Sequence, residues 1–267
     1  MSALALLLAS CEAPVPEPAP ANVVQEKPIV PTPAGSAASP PRLSRADLIA
    51  SANEAASAYA AGKQPAAPDP LVGRTYSIAI AFGCSGPTPS PEWDAPGLAR
   101  WSWGDQGKTI LLSTTPANWT ESAVTAGRSA APDWEAVEGF WIPRPWMASE
   151  ECPTVLGDPL QTTNIAAAPE TVGLAAIFEA DSSRVGRRMG RAYAFTIRPD
   201  GDAPLKPAAG GYRLILEGRI ASYPDGRAIR CAAAGPDQRP VCVIATKLDR
   251  VAYESVDGQM LSEWRPG

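Results

Sequence analysis

From Leu71 to its last residues the chain is a succession of short apolar–polar alternations cut by glycine and proline. No other feature constrains the fold as tightly. Tyr76, Ile78, Ile80 and Phe82 alternate with Ser77, Ala79 and Ala81, the period-two signature of a strand with one buried face. Trp101 and Trp103 share a face in the next run, and Thr109 to Ser113 follows a Gly-x-x-Gly turn at Gly104 to Gly107. Further strands are expected over Val137–Ile142, stopped by Pro143 and Pro145, and over Thr171–Glu179, Ala192–Arg198 and Tyr212–Ser222. Pro224-Asp225-Gly226 has turn chemistry and predicts a hairpin joining Tyr212–Ser222 to Arg227–Cys231. Val241–Glu254 is long enough to bend, and its alternation changes phase near Leu248–Val251, which predicts a bulge. A final strand is expected over Gln259–Glu263. About nine or ten short strands with no helical pattern between them predict a mainly β fold, an antiparallel sandwich or barrel, and argue against a parallel α/β sheet.

One helix is expected ahead of the strands, over residues 44–62. Ser44 is its N-cap, and Asp47 is placed to reach back as the acid of a capping box. Leu43 and Leu48 occupy the staple positions. Leu48, Ala52, Ala55, Ala56 and Tyr59 recur every three or four residues as an apolar stripe, and Gly62 falls where a left-handed cap would end the helix. The stripe is expected to pack on the β domain.

Upstream, Ala3, Leu4, Ala5, Leu6, Leu7 and Leu8 form an apolar run that leads into Leu8-Ala9-Ser10-Cys11. That tetrapeptide resembles the lipobox of bacterial lipoprotein signal peptides. The resemblance implies cleavage before Cys11, lipidation of its sulfur and a membrane anchor outside the cytoplasm. Glu12, where an Asp resembles an inner-membrane retention mark, leans the expectation to the periplasmic face of the outer membrane. No Lys or Arg precedes the run, and the run is about six residues, short for a signal. Both departures fit a start codon placed too late. Residues 11–42 carry Pro14, Pro16, Pro18, Pro20, Pro28, Pro31, Pro33, Pro40 and Pro41. Such a stretch lacks the apolar content of a core and is expected to be an extended tether, reaching roughly 90 Å at about 3.1 Å per residue. The organisation expected is therefore a signal peptide over 1–10, a tether over 11–42 and one β-rich domain over 43–267, with two modules over 71–160 and 170–267 as the alternative.

An extracytoplasmic address makes disulfides the default for Cys84, Cys152, Cys231 and Cys242. Cys231 and Cys242 are close in sequence on either side of a turn, which favours their pairing and leaves Cys84 with Cys152. A four-thiolate zinc site would need Cys-x-x-Cys spacing, which is missing. There is no histidine, so Ser-His-Asp and Cys-His catalysis, and zinc held by histidine, are excluded. No metal and no cofactor is expected. A net charge of −5 argues against nucleic acid as a partner, which would call for a broad basic surface.

Three constellations remain as candidates for function. Seven of the eight tryptophans lie between Trp93 and Trp146, and Trp101, Trp103, Trp141 and Trp146 are candidates for a platform that stacks on sugar rings or on a peptide. Core packing is the competing use of these rings. Arg184, Arg187, Arg188 and Arg191, interleaved with Gly186 and Gly190, suit phosphate, for which anionic lipid headgroups are the envelope source; a solvated loop is the competing reading. Glu150 and Glu151 beside Cys152, and Asp200 and Asp202 around Gly201, are acid pairs of the kind a glycosidase needs at a set separation. Neither a Gly-x-Ser-x-Gly elbow nor a Ser-x-x-Lys motif occurs. The function expected is a lipid-anchored envelope protein that binds or positions another envelope protein, a glycan or a lipid headgroup without catalysis. The alternatives are a carboxylate-dependent hydrolase of envelope glycans and a proteinaceous hydrolase inhibitor. Acids converging in a tryptophan-lined cleft would favour the hydrolase; an aromatic surface without them would favour binding.

Overall fold

The computed structural model describes residues 40–63, 67–89, 95–126, 134–154, 170–179, 186–201 and 203–265. Cys11 and the tether up to Ser39 lie outside the described residues, as do Trp93, Arg184 and Asp202. The chain from Pro40 onward forms one compact unit.

Alternation in the sequence becomes eleven strands among the described residues: β1 (Thr75–Phe82), β2 (Ala99–Gly104), β3 (Thr109–Thr114), β4 (Ala117–Asn118), β5 (Trp134–Trp141), β6 (Val172–Glu179), β7 (Tyr193–Ile197), β8 (Tyr212–Ile220), β9 (Ile229–Ala232), β10 (Val241–Ser255) and β11 (Met260–Trp264). They make a mainly β sandwich of an eight-stranded and a three-stranded sheet. The larger runs β1-β8-β10-β6-β5-β4, with β9 and β11 also on β10, and the smaller runs β2-β3-β7. Pairing is antiparallel throughout except between β10 and β6, which run parallel. A parallel neighbour requires a long crossover, and the chain supplies one by visiting the second sheet as β7 before returning.

β10 organises the large sheet. Its register slips between Leu248 and Arg250, the expected bulge. Up to Thr246 β10 lies beside β6, with β9 on its other edge as far as Ile244; from Thr246 onward that edge pairs with β8, and β11 joins opposite from Val251. Here the hairpin expectation is corrected. Residues 223–227 do turn back, with Tyr223 N donating to Arg227 O at 2.8 Å, but β8 and β9 do not pair. Both follow the same edge of β10, where Ala221 N donates to Ala245 O (2.9 Å) and Ala245 N to Ala228 O (2.8 Å). The long partner strand offers more ladder than a short hairpin would, so both segments bond to it.

The inner face of the large sheet and the second sheet enclose the main core, with Ile78, Phe140, Leu174, Leu216, Ile244 and Tyr253 from one and Trp101, Ile110 and Leu112 from the other. Tyr253 Oη ties the layers together, bonding Thr114 Oγ1 at 2.8 Å and donating to Tyr193 O at 2.9 Å. Both disulfides pair as expected, Cys84 with Cys152 and Cys231 with Cys242.

The helix α1 (Arg45–Ala60) begins with a full capping box: the Asp47 carboxylate accepts from Ser44 N at 2.8 Å while Ser44 Oγ accepts from Asp47 N. Leu48, Ile49, Ala52 and Ala55 are buried on the sandwich. Tyr59, expected on the stripe, is exposed, and its Oη accepts from Ala233 N at 3.3 Å. The buried stripe is centred nearer Ile49, so the last turn leaves the core.

On the outer face of the large sheet a second apolar cluster gathers Trp134, Val137, Ala175, Ile177, Tyr223, Val243 and Ala245. A short helix, α2 (Ala123–Ala126), is held over this face through Thr125 O, which accepts from Arg230 Nη1 at 2.8 Å. The Arg230 guanidinium also lies 4.4 Å from the Tyr223 ring centre, a cation–π contact.

Candidate functional site

Leaving β4, the chain turns over the outer face of the large sheet. Trp119 N donates to Val137 O (2.9 Å), Thr120 Oγ1 accepts from Val137 N (3.0 Å), and Asn118 Oδ1 accepts from Thr120 N (3.1 Å). These bonds press the Trp119 indole flat on the sheet, where two glycines make room for it. A Cβ at Gly139 of β5 would lie 2.2 Å from Trp119 Cδ2, and one at Gly173 of β6 would lie 2.5 Å from Cη2. A glycine inside a strand marks this kind of close approach. Trp141 stands edge-on to Trp119, with ring centres 4.6 Å apart and planes at 62°. Its backbone N donates to Gly97 O at 2.9 Å.

The two indoles form one wall of a cleft of about 340 Å³ whose other walls are Val124, Val241, Val243 and the alanines 232–234. The Cys231–Cys242 bridge lies beside this rim, one register step from the Val241–Ala232 pair. Among the described residues Ser122 contributes the one side-chain hydroxyl, and no described acid or base lines the cleft. In size it falls at the lower end of small-molecule and side-chain binding clefts. Among the described residues its lining offers flat π faces, aliphatic walls and a single hydroxyl.

Of the tryptophans singled out by sequence, only Trp141 lines this cleft. Trp101 is 2% exposed and belongs to the core, edge-on to Tyr212 and pressed against Gly83. Trp103 stacks edge-on to Trp101 with its other side open, and Trp146 is exposed on the segment that follows β5. The ring that makes the site, Trp119, was not among the four candidates; the signal for it was the pair of glycines inside β5 and β6.

The described arginines of the basic cluster are engaged within the chain. Arg187 pairs with Glu135 at 3.1 Å. Arg188 lies over the Tyr193 ring at 4.6 Å and donates to Arg191 O and Ala192 O, and Arg191 Nε donates to Arg188 O. The loop does hold an anion, but one from its own chain: Glu138 Oε1 accepts from Arg188 N (2.7 Å) and Met189 N (2.8 Å). Successive backbone N–H groups next to a left-handed residue (Met189 has φ +54°) form an anion-binding concavity. Burial pushes the Glu138 carboxyl above its ordinary value, against the pull of those two N–H groups and of Arg187 and Arg188.

None of Glu150, Glu151 and Asp200 lines the aromatic cleft. Glu150 accepts from Ala79 N at 3.0 Å, and Glu151 pairs with Arg213 at 2.8 Å. Glu138 alternates with Val137, Gly139 and Trp141 along β5 and so faces the other side of the sheet. Among the described residues no cluster of three or more His, Cys, Asp or Glu is placed to hold a metal ion, and no helix is long and apolar enough to cross a membrane. Comparison with known protein families, with curated proteins and with solved structures finds no match.

Proposed function

We propose that this protein is a lipid-anchored component of a bacterial cell envelope, held by Cys11 at the periplasmic face of the outer membrane, and that its β domain is a non-enzymatic binding module. The Trp119–Trp141 cleft receives an apolar segment of an envelope partner protein. The observation that carries this reading is the lining: two indoles, valines, alanines and one serine, with no ionisable group among the described residues. Hydrolysis of a glycoside needs two carboxylates flanking the scissile bond, and none of the described acids lines this cleft. A sugar ring would stack on the indoles, yet its hydroxyls would lose water against aliphatic walls, with Ser122 alone to bond them, and unsatisfied polar groups are costly to bury. Apolar side chains carry no such penalty. Tryptophan walls of this kind are typical binding hot spots.

Two experiments test the two halves of the proposal. Replacing Cys11 with Ser and fractionating cells reads the anchor: the variant is expected in the soluble envelope fraction, and unchanged membrane association would overturn lipidation. For the cleft, a photo-crosslinker at Ala233 is expected to trap a discrete envelope protein in intact cells. Trp119→Ala with Trp141→Ala is expected to abolish that adduct; an adduct of equal yield without the two indoles would overturn the site.

A further inference from the structure

β1 is an edge strand of the large sheet, and its open side is closed by something other than a strand. Leu43 bridges the first part, with Leu43 N donating to Thr75 O and Ser77 N to Leu43 O. Beyond it, residues 143–152 run along the edge as a strap. Ala79 N donates to the Glu150 carboxylate at 3.0 Å, and Arg144 Nη2 donates to Ala81 O at 2.8 Å. Two side chains thus take the bonds that a neighbouring strand would make. Edges are commonly protected by charges and loops, but this cover carries unfavourable terms of its own. Arg144 has φ +51°, a left-handed conformation that a non-glycine residue adopts only at a cost. Arg45, only 3% exposed, donates to the carbonyls of Pro143, Arg144 and Met147. Burial first and the Arg144 charge second pull its pKa down to about 10. Trp146, at the crest, is 62% exposed and gives the strap little burial. The far end is fixed covalently, by the Cys84–Cys152 bridge just past the end of β1.

The geometry points to a redox latch: reduction of Cys84–Cys152 releases the strap and uncovers the β1 edge, which then takes β1 of a second copy of this chain, antiparallel about Ala79. The occupant follows from the register. Pairing about Ala79 sets Ser77 opposite Ala81 and Ile78 opposite Ile80, so small uncharged residues meet on one face and isoleucines on the other. Like charges, the usual obstacle to self-pairing, are missing from this stretch. Leu43 already occupies the edge up to and including Ser77 N, so the incoming strand is left the carbonyl of Ser77 and the part the strap covers, with Ala81 N of each copy donating to Ser77 O of the other on either side of the Ala79 pair. The chemistry balances with a dithiol as co-reactant. Its thiolate attacks one sulfur of the bridge, a mixed disulfide forms and resolves, and two electrons and two protons leave Cys84 and Cys152 as thiols while the dithiol becomes a disulfide.

The test uses the full chain carrying Cys11→Ser, so that no acyl group drives association, with and without Cys84→Ser and Cys152→Ser. Mass in solution and hydrogen exchange at the Ala79 amide are read across protein concentration. The bridged protein is expected to stay monomeric with a slow Ala79 amide. The bridge-free variant is expected to exchange that amide roughly tenfold faster or more when dilute, and to double its mass and slow the amide again when concentrated. A bridge-free protein that stays monomeric overturns the proposal, as does one that associates while the dilute amide stays slow. Should the double variant not fold, Glu150→Ala in the bridged chain replaces it. That protein must be monomeric while bridged and double its mass on mild reduction with dithiothreitol, and failure of either overturns the latch.

Discussion

Substituting Gly139 with alanine adds a single methyl group, yet it should dismantle the aromatic cleft. The new Cβ would lie 2.2–2.4 Å from three atoms of the Trp119 ring, far inside contact distance, and the ring must leave its seat. Gly139 lies within β5 between Ala117 and Ala175, where alanine suits the backbone, so the whole cost comes from the indole. Removing a half-buried ring as Trp119→Ala should cost about 2 kcal/mol, below the roughly 3–5 kcal/mol of a fully buried aromatic. Gly139→Ala forfeits the same packing and adds overpacking strain, about 3 kcal/mol in total. Were the two effects independent, the double variant would lose about 5 kcal/mol. Because both act on one contact, the double variant should lose only about 2, a coupling of about 3 kcal/mol. Urea unfolding of the four proteins measures each term, and a red shift of tryptophan emission in Gly139→Ala reports the displaced ring. Losses that add to within about 0.5 kcal/mol would refute the seating of Trp119 on Gly139 and, with it, the shape of the cleft.

Further consequences are open to the same kind of measurement. Replacing Cys231 and Cys242 together with serine should lower unfolding stability by roughly 3 kcal/mol on the loop-entropy account, and a loss under about 1 kcal/mol would mean that the β9–β10 ladder alone fixes the rim. Ser44→Ala removes the N-cap of α1 and should cost about 1 kcal/mol, with faster amide exchange confined to the first turn; no change in either would contradict the capping box. Glu138 sets a pH dependence. Burial raises its pKa in the folded chain, so the stability it contributes is fully present below the ordinary carboxylate value of about 4.3 and is lost as pH rises through the folded value. Glu138→Gln is neutral at every pH, so its melting temperature relative to the native protein should rise across that window; a pH-independent gap, or one of opposite slope, would refute the burial argument.

Much of the architecture is legible because it follows from local rules. The Tyr76–Phe82 alternation, the phase change at Leu248–Arg250 and the Ser44–Asp47 box each depend on a few neighbouring residues, and each appears where those residues require it. What local rules leave undetermined is which strands are neighbours. The turn at Pro224-Asp225-Gly226 forms, but β10 outbids β9 as a partner for β8 because its fifteen residues can serve two strands in line. The two-residue strand β4 is below the length at which alternation carries a signal. The parallel β6–β10 pair has no local signature, since the residues that meet there are about seventy positions apart in sequence.

The candidate site illustrates the same boundary from the side of chemistry. Tryptophan count by itself pointed to Trp101, Trp103, Trp141 and Trp146, and the structure distributes those four among the core, its margin, the cleft and the β1 strap. Ring count cannot separate these fates, because an indole stabilises a core by the same loss of apolar surface that makes it useful to a partner. The distinguishing mark is carried by residues without side chains. Gly139 and Gly173 weaken their strands relative to alanine and are explained by the ring that lies across them. The stretch 184–191 shows the converse: four arginines in eight residues look like a phosphate trap, but the described ones meet Glu135, Tyr193 and carbonyl groups, and the backbone concavity at Arg188 and Met189 already holds Glu138. A charge cluster becomes a binding site only when its own fold leaves it unsatisfied, and the described arginines of this loop are engaged within the chain.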